Sequence, residues 1–166
     1  MPLYENVILS EWLDSAGPLP SRDDFDPGEG CLDALTAWQN FGGLIRTEAF
    51  DKFCSSPAVY QEDFMFMGTV AFAFYFPIVE RYVFQASADD DGEVEAIWIL
   101  AHCIIQQLSY PTDHHVLDLR ARIVILTQHV RGNLSKFCIG PSEQTRLDEA
   151  WRQLGERLGS YDRRAN

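Results

Sequence analysis

Apolar residues recur along this chain in steps of three and four, the spacing that lines one face of a helix. Val7, Ile8, Trp12 and Leu13 keep that spacing near the start and predict a short helix or hooked segment. The pattern resumes at Leu32, Leu35 and Trp38 and stops at Gly42-Gly43. Thr47, Glu48, Phe50 and Phe53 predict another short helix, ending near Ser55-Ser56-Pro57. From Val94 to Leu108 nearly every position is apolar except Glu95, His102, Gln106 and Gln107, and the first three share one narrow stripe. That is the pattern of a central helix with a single exposed edge. Val116, Leu119, Ile123, Leu126, Val130, Leu134 and Phe137 predict one long amphipathic helix of up to about six turns. Asp118 and Arg122 are placed to pair on its wet side, and Gly132 is where it would weaken or end. Gly140-Pro141-Ser142-Glu143 offers a helix start, with Leu147, Trp151, Leu154 and Leu158 on one stripe beyond it. No alternation of polar and apolar positions lasts long enough to predict a sheet.

The segment Phe64 to Phe84 reads FMFMGTVAFAFYFPIVERYVF. Its apolar run ends at Glu80 and falls short of the roughly twenty residues that span a bilayer, so it predicts a buried core segment and no membrane partner. Pro77 removes a backbone donor and disfavours helical geometry at Phe76. The expected arrangement is one helix ending near Tyr75 and a second with Pro77 in its first turn; a single kinked helix is the alternative.

Together these elements predict an all-α, single-domain orthogonal bundle of five to seven helices spanning residues 1–166. The helices at Val94–Leu108 and Val116–Phe137 should form its centre, packed against Phe64–Phe84. Residues 17–30 carry three prolines, three glycines and several acidic side chains. That composition predicts a flexible loop that buries little surface. Residues 159–166 predict a polar tail.

Charge narrows the partners. Thirteen basic residues against twenty-five acidic ones leave a formal net charge of −12, which repels phosphate backbones and anionic headgroups and steers basic proteins inward. Nucleic acid is therefore excluded as an expected partner. Cys31, Cys54, Cys103 and Cys138 form no C-x-x-C pair and read as reduced thiols. With no basic stretch leading into an apolar one at the N-terminus, the expected location is the cytoplasm.

Candidate chemistry is sparse. Asp89, Asp91 and Gly92 match part of a calcium loop, but Ser87 and Trp98 stand where its first and last ligands belong. His114 and His115 are adjacent, about 100° apart on a helix, and have no partner at metal-ligand spacing. No nucleophile elbow, dinucleotide fingerprint or phosphate loop is present. No cofactor, metal or catalytic residue is assigned.

The arrangement Glu62-Asp63-Phe64-x-Phe66-Met67 followed by Ala71-Phe72-x-Phe74-Tyr75-Phe76-Pro77 resembles a family of small, helical, uncharacterised bacterial domains with an aromatic-Tyr-x-Pro signature. It covers about a quarter of the chain, and phenylalanine stands where leucine is usual before the proline. Such domains look like the small acidic immunity partners found beside secreted toxins, an analogy of size, charge and fold class. Three functional expectations follow. The first is a non-enzymatic protein that engages a basic protein partner through its acidic surface, with Asp89, Asp90, Asp91 and Glu93 as the partner-binding candidates. The second is a small-molecule or enzymatic pocket lined by Tyr75, Glu80, Tyr82 and His102. The third is a homodimeric or larger structural subunit.

Overall fold

Four residues inside the expected loop 17–30 already form a helical turn. Ser21 caps it, its hydroxyl accepting from Asp24 N while the Asp24 carboxylate accepts from Ser21 N at 2.7 Å. This reciprocal pairing satisfies donors that a helix start leaves open. The turn, α1 (Arg22–Phe25), exists to place Phe25, which is fully buried. Ten of the fourteen residues from 17 to 30 are exposed, so the stretch buries little surface as expected, and the difference is the helical turn within it.

The computed structural model describes residues 17–88, 93–109 and 114–162, so the segment Val7–Leu13 lies outside the described residues. After α1 come α2 (Leu32–Phe41), α3 (Arg46–Ser55), α4 (Pro57–Tyr60), α5 (Asp63–Phe66) and α6 (Thr69–Gln85). They are followed by α7 (Glu93–Gln107), α8 (His114–Leu117), α9 (Arg120–Gly132), α10 (Leu134–Phe137) and α11 (Pro141–Asp162). The fold is all-α, and among the described residues there is no strand. Among the described residues six helices have ten residues or more, and the others are single turns. Periodicity predicts five to seven helices because a four-residue turn holds too few positions to show a period.

Helix α6 runs unbroken through Pro77, correcting the expected break near Tyr75. Magnitudes explain why. An interior proline costs about 3 kcal/mol, whereas burying each large apolar side chain contributes about 1.5–3 kcal/mol. Phe72, Phe76, Ile78, Val79 and Val83 are all fully buried along one continuous helix, so keeping the helix outweighs the lost hydrogen bond. The chain breaks instead at Met67–Gly68. Gly68 N donates to Phe25 O at 2.8 Å, and a Cβ there would lie 2.2 Å from Asp24 O. Only glycine allows that close approach of two backbones.

The expected single helix from Val116 to Phe137 is three pieces, α8, α9 and α10. Leu119, between the first two, keeps near-helical angles (φ −81°, ψ −6°), so the apolar period survives the break. Gly132 ends α9, and Asn133 leaves the helical region (φ −136°, ψ 35°). Helix α11 continues to Asp162, through the start of the expected polar tail.

Helix α6, with ten of its seventeen residues buried, shares the centre of the fold with α7. Helices α1, α3, α8 and α9 pack around α6, α5 bridges α2 and α7, and α11 closes over α7 and α9. Seven aromatic rings form a chain through the first half of the core: Trp38, Phe25, Tyr75, Phe41, Phe64, Phe53 and Tyr82. Successive centroids lie 4.8–5.9 Å apart, within the range in which ring pairs add to simple burial. In the second half, Leu147, Ala150, Trp151, Leu154 and Leu158 of α11 cover Ala96, Ile97, Leu100 and Ile104 of α7 and Ile123, Leu126 and Val130 of α9. No helix among the described residues is long and apolar enough to cross a membrane.

Candidate functional site

The four residues of the expected pocket start from different helix faces. On α6, Tyr75 and Tyr82 are seven residues apart and share a face, while Glu80 projects roughly 140° away from Tyr75. The Tyr75–Tyr82 face is occupied by rings. Tyr75 meets Phe25, Phe41 and Phe74, and Tyr82 meets Phe53 at 4.8 Å. The Tyr75 hydroxyl lies 2.7 Å from Phe41 O and 2.8 Å from Leu44 O, donating to the turn between α2 and α3. Burial pushes its pKa up to about 12, so it stays a neutral donor. Tyr75→Phe is expected to cost about 1–2 kcal/mol by leaving those carbonyls short of a donor, measurable as a lower urea midpoint with an unchanged slope.

Glu80 faces α9. Its carboxylate receives both arms of the Arg122 guanidinium, with Nε at 2.9 Å from Oε1 and Nη2 on Oε2. Both side chains are largely enclosed, at 7% and 18% exposure. Burial pushes the Glu80 carboxyl up and Arg122 opposes it. The Arg122 guanidinium also lies 5.2 Å from the centre of the Phe76 ring. Arg122 thus turns inward to the core's edge, away from the wet face that the Asp118 spacing predicts.

His102 belongs to a third environment. Its ring meets Trp98 edge-on at 4.6 Å, and Arg146 of α11 lies 3.7 Å over the same indole. Its Nε2 is enclosed without a hydrogen-bond partner. Burial, then Arg146, lower its pKa, which keeps the imidazole neutral at pH 7. Tyr75 and Tyr82, Glu80, and His102 therefore have their nearest contacts in three different places. Of the partner-binding candidates, Asp89, Asp90 and Asp91 lie outside the described residues, and Glu93 enters only as the first residue of α7.

Two clusters escaped the sequence reading. One is the Glu80–Arg122 pair, whose members stand 42 residues apart. The other surrounds residues 57–68. Gln107 Nε2 approaches the carbonyls of Phe64 (3.0 Å), Met65 (3.3 Å) and Met67 (2.7 Å), Cys103 Sγ donates to Gln61 O, and Asn40 Nδ2 donates to Asp63 Oδ2 at 2.8 Å. Gln107 carried a readable signal: it lies off the exposed stripe of Glu95, His102 and Gln106, on the apolar face. A buried glutamine must find partners, and this one caps the end of α5. Cys103 offers no ready nucleophile, because burial pushes its thiol far above the usual range.

The exposed cysteines are Cys31 and Cys54. Among the described residues, no three His, Cys, Asp or Glu side chains come together as a metal site would require. Comparisons with protein-family models, with curated proteins and with solved structures find no match to this chain.

Proposed function

We propose that this chain is a non-enzymatic binding protein that engages a basic protein partner through its acidic surface, as an immunity-type inhibitor in the cytoplasm would. One observation carries this reading: nine cations among the described residues are held against the body's own carbonyls, rings or carboxylates. Arg46, Arg120 and Lys136 donate to the main-chain carbonyls of Phe74, Leu158 and Phe84. Lys52, Arg81 and Arg146 lie over the rings of Tyr60, Phe50 and Trp98. Arg122, Arg131 and Arg152 pair with Glu80, with Asp148, and with Glu149 and Glu156. These contacts fix where the cations sit without removing their charge, and the chain as a whole keeps a formal net charge of −12.

Exposed Asp23 lies on α1, and exposed Glu29 and Asp33 lie close in sequence to Leu32, which is 77% exposed. Acidic and apolar groups exposed in this way suit a basic partner with an apolar anchor. The resemblance to small bacterial helical domains points the same way.

The test is affinity capture by the full chain from extracts of its source cells at about 50 mM and about 500 mM salt, where screening shortens from roughly 14 Å to roughly 4 Å. A basic protein retained only at low salt is expected. Neutralising Asp23→Asn, Glu29→Gln and Asp33→Asn together, and Asp89→Asn, Asp90→Asn and Asp91→Asn together, should weaken it by about tenfold or more in at least one set. Absence of any salt-sensitive basic partner, or binding by both variants as tight as that of the unmodified chain, sinks the proposal.

A further inference from the structure

The stretch from Pro57 to Gly68 crosses from α3 to α6 as two single turns, α4 and α5. Such short pieces hold few hydrogen bonds of their own. The stretch is fastened by groups reaching in from its neighbours. Gln107 and Cys103 of α7 donate to the carbonyls of Phe64, Met65, Met67 and Gln61, and Asn40 of α2 donates to the Asp63 carboxylate.

Asp63 is the ionisable member of this set. It is 7% exposed, and among the described residues the Asn40 amide at 2.8 Å is its hydrogen-bond donor. An ionised carboxylate is well supported when two or three donors reach it; one neutral amide is poor support. The groups that bear on it are the ammonium of Lys52 on α3, the amide of Asn40 on α2 and the thiol of Cys103 on α7. Glu62 stands beside Asp63 on the stretch itself. Burial outweighs the help from Asn40 and Lys52, Glu62 adds to it, and the carboxyl titrates at about 6.

We propose that Asp63 is a proton-operated latch: neutral, it lets residues 57–68 close against α2 and α7, and ionised, it loosens them from the body. The sign follows from linkage. The folded pKa is above the roughly 3.9 of an exposed aspartate, so the closed form binds protons more tightly than the open one. Closure is strongest below the unfolded value and is lost as pH rises through about 6. Release uncovers Phe64 and Met67, both buried when the stretch is closed.

Hydrogen exchange on the full chain at about pH 5 and about pH 7.5, corrected for the intrinsic pH dependence of amide exchange, tests this. The opening constant of peptides within 57–68 is expected to rise up to about tenfold over that range while peptides of α11 do not follow. Asp63→Asn, which keeps the shape and removes the charge, should hold 57–68 closed at both pH values. An unchanged pH response in Asp63→Asn, or a flat response in the wild type, overturns the proposal. The side-chain carbon shift of Asp63 gives a reading without any variant, and a titration midpoint below about 5 refutes the latch outright.

Discussion

Replacing Arg122 with Met is expected to destabilise the fold by about 3–5 kcal/mol, because it strands the Glu80 carboxylate without a partner inside the core. Glu80 is 5% exposed and cannot regain water when the guanidinium leaves. Urea titration should show a lower midpoint with little change in slope. The double variant Glu80→Leu with Arg122→Met should recover most of that loss, since a buried ion pair is often no better than a well-packed apolar pair. The single variant also has a pH signature. With Arg122 gone, burial holds the Glu80 carboxyl above its unfolded value, so the native state binds the extra proton and stability rises as pH falls. Its deficit at about pH 5 should therefore be smaller than at about pH 8. A deficit below about 1 kcal/mol, or one that grows in acid, means that Glu80 is not enclosed as described.

The second large effect lies at Trp151, fully buried on α11 with its indole N–H on Ile97 O of α7 at 3.2 Å. Trp151→Ala is expected to cost about 3–5 kcal/mol through lost burial and the cavity left behind, a fall in melting temperature on the order of 10 °C for a chain this long. Trp151→Phe keeps most of the ring and loses the hydrogen bond, so it should cost clearly less. Thermal unfolding followed by circular dichroism separates them, and equal losses would show that volume is not what the site depends on.

Much of the fold was legible because burial and periodicity agree. The expected helix Val94–Leu108 is α7 (Glu93–Gln107) within one residue at each end, since its apolar face is wide and its exposed stripe narrow. Other features lost to competing effects. Pro77 argues locally for a break, and the burial of α6 along its length overrules it. Residues 17–30 look like pure loop by composition, yet Ser21-x-x-Asp24 carries the capping pattern that seats Phe25. Arg122 illustrates a deeper limit. Its spacing from Asp118 is visible in sequence, whereas Glu80 becomes its partner only when α6 and α9 pack together. The enclosure of Asp63 is equally hidden, because nothing local tells that α2 and α7 pack beside it. The acidic turn Asp89 to Asp91 stays an expectation, to be decided by the capture experiment.

The bond from Trp151 to Ile97 joins positions 54 residues apart, and it sets an order on synthesis. As the chain leaves the ribosome, α7 and α9 emerge well before the helix that covers them, so their greasy faces wait uncovered for the last stretch to appear. Until then the nascent protein is a substrate for chaperones and a candidate for clumping with its neighbours. A message cut short before Trp151 should yield a product that is cleared by proteolysis, even though every earlier helix is encoded in full.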